Sequence, residues 1–231
     1  MTKRHLFSLN SPANWPIERK NLVWVTRPNP GPHPLLRCLP LGLLIKNVLN
    51  HARNLREIKF ILNQGEILID NVVRKNQRFP VGIMDVIHVK KTGENFRLII
   101  NENNKYHLHK LSKENANLKP CKIIGKKILK KGKIQLNLFD GRNVIVNNSS
   151  YKVGDTVMFN LENNKIVDHL KLEKGSHVYI TQGKYVGYFG KLEEVLPGKG
   201  FQSNKIVFTK DGNKFETLKN YIFVIPQELF K

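Results

Sequence analysis

Arg53, Arg56 and Lys59, followed by Arg74, Lys75 and Arg78, set fixed positive charge on both sides of a short hairpin-like segment. The chemistry open to such a set is neutralisation of a polyanion, because Lys and Arg hold phosphates without demanding a specific base. The same residue types recur elsewhere. Lys126, Lys127, Lys130, Lys131 and Lys133 crowd one stretch, and Lys184 sits in a glycine-spaced run. Lys3, Arg4, Arg19, Lys20 and Arg27 line the start of the chain, with Trp15 and Trp24 interleaved. Basic charge beside broad aromatic faces suits contact with folded RNA. Each cluster also has a plainer account, since solvated lysines and charged helix faces are common.

The whole composition leans the same way. Against 18 Asp+Glu stand 39 Lys+Arg, leaving a formal charge of +21. A surface so charged repels itself unless a polyanion neutralises it, and nucleic acid is the favoured one. A membrane is the weaker candidate. The run from Leu35 to Leu49 is broken by Arg37, Pro40, Gly42, Lys46 and Asn47, and it falls short of the roughly 20 apolar residues a spanning helix needs. Met1 to Asn10 is mixed and polar, without the apolar core of a secretory leader, so a cytoplasmic protein is expected.

Other chemistries find little support. Cys38 and Cys121 stand far apart with no Cys or His at ligand spacing, which favours buried free thiols over a zinc site or a disulfide. His107 and His109 share one face of a possible strand but lack a third ligand. No Ser/His/Asp set, carboxylate pair or phosphate loop stands out. The expectation is therefore no catalytic residue, no metal, no cofactor and no small-molecule substrate.

The elements that would position these cations read as α+β, mostly β. Seven of the eleven prolines precede Leu41, several of them within Pro28–Pro34. Proline fixes φ and removes amide donors, so residues 1–40 are read as an extended basic arm, with two compatible readings, an RNA-embedded tail and a wrap on its own globular body. A helix-helix-hairpin module is expected over 41–110. Leu41, Leu44, Ile45, Val48 and Leu49 follow helical spacing. A second helix starts at Asn54, with Glu57 reaching back and Gly65 as the stop. Its apolar stripe is Leu55, Ile58, Ile61 and Leu62, with Arg53, Arg56 and Lys59 off the stripe. Ile67–Ile69 and Val72–Val73 flank an Asp70-Asn71 turn, and a strand follows over Met84–Val89. Alternation at Phe96, Leu98 and Ile100, then at Ile134, Leu136 and Leu138, then at Val144 and Val146, predicts antiparallel strands. Residues 111–172 are assigned to a central β domain. The glycine spacing of Gly183, Gly187 and Gly190 suits sharply bent strands, so 173–231 is expected to form a small barrel.

Read in order, several segments closely resemble the archaeal and eukaryotic small-subunit ribosomal protein S-four-e family over nearly the whole chain. They are Pro30-Gly-Pro-His33 with Leu39-Pro-Leu41, Phe79-Pro-Val-Gly-Ile-Met-Asp-Val-Ile87, His107 to His109, Asp140-Gly-Arg142 and Lys165-Ile-Val-Asp-His169. The resemblance implies an S4-like RNA-binding module, a middle β domain and a KOW-type SH3-like barrel. It also implies a structural role in the small ribosomal subunit, with rRNA and neighbouring ribosomal proteins as partners. In the module that role falls on Arg53, Arg56, Lys59, Arg74 and Lys75, and in the barrel on the loop of Gly183, Lys184 and Gly187. Gln182 and Asn71 depart from glycines usual in the family. Two alternatives share these modules. An rRNA-modifying pseudouridine synthase needs an aspartate in a Gly-Arg-Leu-Asp setting, whereas the nearest match here is Gly141-Arg142-Asn143. A KOW-type elongation or assembly factor pairs its barrel with an acidic or mixed-charge domain, whereas this chain stays basic from its arm onward.

Overall fold

A computed structural model describes residues 5–112, 114–147, 150–198 and 203–226. They fall into two compact units, one within Met1–Ile100 and Asn104–Asn117, the other within Asn101–Asn103 and Leu118–Lys231. The fold is α+β and mostly β, with antiparallel sheets carrying nearly all regular structure.

In the first unit, five strands lie in the order Val72–Val73, Ile67–Ile69, Val86–Val89, Glu94–Ile100 and Tyr106–Leu111. Asp70 and Asn71 both take positive φ, 51° and 63°, as a two-residue hairpin turn requires and as short polar side chains tolerate. The expected strand over Met84–Val89 begins only at Val86. Met84 has φ 70°, inside a tight bend where the Asp85 carboxylate accepts the Gly82 amide at 2.7 Å. Strand Glu94–Ile100 is covered on both faces over its second half, so Arg97, Leu98, Ile99 and Ile100 are all buried.

The first predicted helix is present but overwound at its start and loosened after it. Helix α1 (Leu41–Leu43) runs directly into a π-helical turn, Leu44–Val48, whose Leu49 amide reaches back to the Leu44 carbonyl at 3.0 Å. Helix α2 (Leu55–Asn63) matches its capping signals closely. The Asn54 side-chain oxygen accepts the Arg56 and Glu57 amides at 3.0 Å, while Glu57 accepts the Arg53 amide, one residue ahead of the cap, at 2.7 Å. Asn54→Ala should cost about 1 kcal/mol, visible as a lower urea midpoint with an unchanged slope.

The described residues of the arm pack on the rest of the first unit. The Trp15 ring is fully buried and its Nε1 donates to the Cys38 carbonyl at 2.7 Å. Trp24, by contrast, is 53 % exposed and stacks on Phe7 at 4.2 Å. Lys105 Nζ donates to the Ala13 carbonyl at 2.8 Å, and the Asn29 amide to the Arg78 carbonyl at 2.8 Å. Cys38–Pro40 pairs with Pro80–Gly82 so that Pro40 faces Pro80 at the ladder's end, where neither can donate.

The second unit holds two five-stranded antiparallel sheets. One runs Asn143–Val146, Ile134–Leu138, Leu118–Ile128, Thr156–Asn160 and Lys165–Leu170. The other runs Asn213–Leu218, Lys205–Lys210, Phe189–Leu196, His177–Ile180 and Ile222–Val224 around Val178, Ile180, Leu192, Ile206 and Phe208. Lys122 ties the two together inside this unit. It is 7 % exposed, and its Nζ donates to the carbonyls of Lys219, Asn220 and Ile222 at 3.3, 3.0 and 2.6 Å. Three carbonyls around one ammonium satisfy a cation that would otherwise be costly to bury.

Candidate nucleic-acid interface

Helix α2 separates core from solvent as its period demands. Ile58 and Leu62 are fully buried, whereas Arg53, Arg56 and Lys59 are exposed. Leu55, expected on the buried stripe, is instead 52 % exposed at the first position of the helix. The outer face also carries Phe60, 65 % exposed and one turn after Arg56. Sequence reasoning passed over Phe60, although its off-stripe position among cations was the available signal. Near the helix end, a Cβ on Gly65 would lie 3.3 Å from Val73, so the hairpin leading to Arg74 and Lys75 abuts this helix. Arg53, Arg56, Lys59 and Lys75 are exposed, and their side chains have no hydrogen-bond or ion-pair partner among the described residues.

Four other predicted contacts, Arg19, Arg74, Arg78 and Lys126, are engaged by the chain itself. Arg19 donates to the Pro12 carbonyl at 2.6 Å and the Leu9 carbonyl at 3.5 Å. Arg78 donates through Nε to the Arg27 carbonyl at 2.8 Å, and the Arg74 guanidinium lies 4.3 Å over the Phe79 ring. Arg27 is half-buried and Lys20 exposed. Lys3 and Arg4 lie outside the described residues, as does the Lys131 side chain. Lys126, Lys127 and Lys130 are exposed, with Lys126 Nζ donating to the Tyr151 carbonyl at 3.0 Å. Lys126 and Lys127 are neighbours on strand Leu118–Ile128 and so project from opposite faces.

In the barrel loop, Gly183 and Lys184 are exposed, with Lys184 Nζ 5.6 Å from the Tyr185 ring centre. Gly187 is buried at φ 82°, where a Cβ would meet the backbone of Asn101 and Glu102 at 2.5 Å. That glycine is required by packing within the unit.

Most of the segments that carry the resemblance place a charged or imidazole side chain in an internal pair. His33 Nε2 hydrogen-bonds to both Asp85 carboxylate oxygens, at 3.1 and 3.2 Å, and its ring lies directly over Gly82. Asp140 is paired with Lys119 at 3.2 Å and Arg142 at 3.3 Å, with Lys119 and Asp140 both buried. His169 Nε2 meets Asp155 at 2.8 Å. These residues hold the fold, which is why they read as a signature without lying on an exposed surface.

Cys38 and Cys121 are buried free thiols. Burial, and then the Asp85 charge, pushes the Cys38 thiol up to about 12, so it stays protonated. His109 is held below the usual imidazole range by burial, then by Arg97 and His107. Among the described residues no three His, Cys, Asp or Glu cluster at metal-binding spacing, and no helix is long and apolar enough to cross a membrane.

Comparison with known proteins gives one consistent answer. The model of ribosomal family S4e matches residues 92–166, and that of the RS4NT domain matches residues 2–36. The small ribosomal subunit protein eS4 of Methanococcus vannielii is 41% identical over 234 residues, covering 98% of this chain and 95% of its own. Its counterpart from Methanothermobacter thermautotrophicus is 37% identical over 228 residues, covering 98% and 94%. The crystal structure of the 30S ribosomal protein S4e from Thermoplasma acidophilum superposes with a TM-score of 0.71 at 30% identity, over 82% of this chain and 95% of that one. Likeness of this depth, from the arm through both units, means that the chain belongs to ribosomal family S4e.

Proposed function

We propose that this protein is a structural constituent of the small ribosomal subunit, in the cytoplasm, where it binds and stabilises rRNA beside neighbouring ribosomal proteins in support of translation. The observation that carries the reading is its 41% identity, over 98% of its length, to a protein named for that subunit. The surface is in keeping with it: exposed cations on every module, and a net +21 that a polyanion would neutralise. We assign the principal contact to the outer face of α2 with Arg53, Arg56, Lys59 and Lys75. Phe60 supplies an apolar surface within that face, and Lys20, Lys127, Lys130 and Lys184 add phosphate contacts elsewhere.

The protein acts as a clamp and performs no reaction of its own. Isomerisation of uridine would need a carboxylate presented to substrate, and Asp140 is spent on Lys119 and Arg142. A transient transcription or assembly factor is separated by fractionation, since a stoichiometric component stays with small subunits through high-salt washing.

The interface is tested by salt dependence. Arg56→Ala combined with Lys59→Ala should reduce the magnitude of the log affinity against log salt slope by about 1.4–1.8, or roughly 0.7–0.9 for each phosphate no longer neutralised. Thermal stability should hold, because both side chains are exposed. An unchanged slope would remove this face from the interface.

A further inference from the structure

Between the arm and the π-helical turn lies a cleft of about 860 Å³, within the roughly 300–1,000 Å³ range of sites that enclose small organic groups. The arm contributes Pro16, Ile17 and Leu22, an apolar set with Leu22 49 % exposed, together with one carboxylate, Glu18. The opposite wall is cationic and amide-bearing, formed by Lys46 and Asn47 on the π turn, then Asn50 and Arg53.

Several features keep this cleft open. The π turn carries one more residue per turn than an α-helix, and such insertions recur at functional sites. The His51 amide reaches the Ile45 carbonyl at 3.1 Å, and Asn50 takes φ 56°, so the chain turns away from the helix axis and leaves space in front of Lys46. Asn47 Nδ2 donates to the Pro16 carbonyl at 2.7 Å, and Lys105 donates to the Ala13 and Trp15 carbonyls, which fixes the arm as the second wall. The side chains of Lys46 and Arg53 have no hydrogen-bond or ion-pair partner among the described residues. The cations Lys46, Arg53 and Lys105 outnumber the one lining carboxylate, Glu18.

We propose that this cleft receives an unpaired nucleotide of rRNA, its phosphate held by Lys46 and Arg53 and its base laid against Pro16, Ile17 and Leu22. One apolar and one cationic wall match the two halves of a nucleotide, and a flat base packs between apolar side chains as well as on aromatic ones. A duplex cannot offer that combination, since its bases are stacked and its phosphates lie outside. An acidic peptide would satisfy the charge but leave the apolar wall uncovered. The inference deepens the rRNA-binding reading and rests on it.

The test uses the full chain, a single-stranded hexaribonucleotide carrying one 4-thiouridine, and, in parallel, a small-subunit rRNA transcript. Irradiation should cross-link the hexanucleotide to peptides containing residues 16–22 or 46–53. Lys46→Glu and Leu22→Asp should each weaken hexanucleotide binding about tenfold or more, with circular dichroism confirming that both variants fold. If the chain binds the transcript while the hexanucleotide cross-links only to α2 or the barrel loop, or if both variants bind it as the parent does, the cleft is overturned and rRNA binding stands. Should the unaltered chain bind neither RNA at low salt, the underlying reading falls with it.

Discussion

Asp140→Ala should destabilise the second unit by about 3–5 kcal/mol. Asp140 and Lys119 have side chains only 3% and 2% exposed, and their charged atoms lie 3.2 Å apart. Arg142 Nε also reaches the Asp140 carboxylate, at 3.3 Å, while the Arg142 amide and the Cys121 thiol donate to it. Removing the carboxylate leaves a buried ammonium without its counter-charge, and that penalty exceeds whatever the pair contributes when intact. Lys119→Met with Asp140→Leu should therefore recover most of the loss, since neither charge remains. The two units can be followed separately. Both tryptophans, Trp15 and Trp24, lie in the first unit, so their fluorescence reports that unit alone, while circular dichroism reports both. The Asp140→Ala shift should appear in the dichroism transition and be absent from the fluorescence one. A loss below about 1 kcal/mol, the range of a solvent-exposed pair, would mean that water reaches Lys119.

Signals confined to a few adjacent residues proved legible in the sequence. Asn54 and Glu57 specified the start of α2, Asp70-Asn71 the hairpin turn, and alternation at Ile134, Leu136 and Leu138 a strand whose three apolar residues are all buried. Each rests on local backbone geometry, which neighbouring residues determine almost alone. What was missed depends on partners far along the chain. Nothing near Met84 announces that Asp85 will pin the Gly82 amide and bend the backbone, since the carboxylate is held in place by His33, 52 residues away. The i, i+3, i+4 pattern of Leu41–Leu49 located a helix yet could not distinguish α from π geometry. Both geometries bury Leu41, Leu44 and Ile45.

The interface divides along the same line. Exposure of Arg56 and Lys59 follows from helical period, and sequence found it. That Arg19, Arg74 and Arg78 serve the chain's own carbonyls and a ring depends on contacts with no periodic trace. Cations that look alike in composition thus perform two tasks. Some fasten the arm and hairpin from within, and others, Arg56 and Lys59 among them, stay exposed. A count of basic residues alone overstates the number of phosphates the protein can neutralise, so its salt slope should fall well below the count of its lysines and arginines.

Trp15→Ala should cost about 3–5 kcal/mol and act on RNA binding from a distance. The indole is fully buried and donates to the Cys38 carbonyl at 2.7 Å. Truncation opens a cavity and leaves that carbonyl without its donor. Trp15→Phe keeps most of the apolar fill and loses the hydrogen bond, so it should fall between the parent and the alanine variant. Fluorescence gives a direct readout, because Trp24 is 53 % exposed and would be the emitter that remains in either variant, with a red-shifted maximum. Pro16 and Ile17 follow Trp15 immediately and form part of the cleft wall. Loosening the ring should therefore reduce hexanucleotide affinity although Trp15 touches no RNA, while the contact through Arg56 and Lys59 persists in the salt slope. If the arm were merely draped over the module, Trp15→Ala would change stability by no more than about 0.5 kcal/mol, as surface substitutions do. The wrapped arm would then have no part in shaping the cleft.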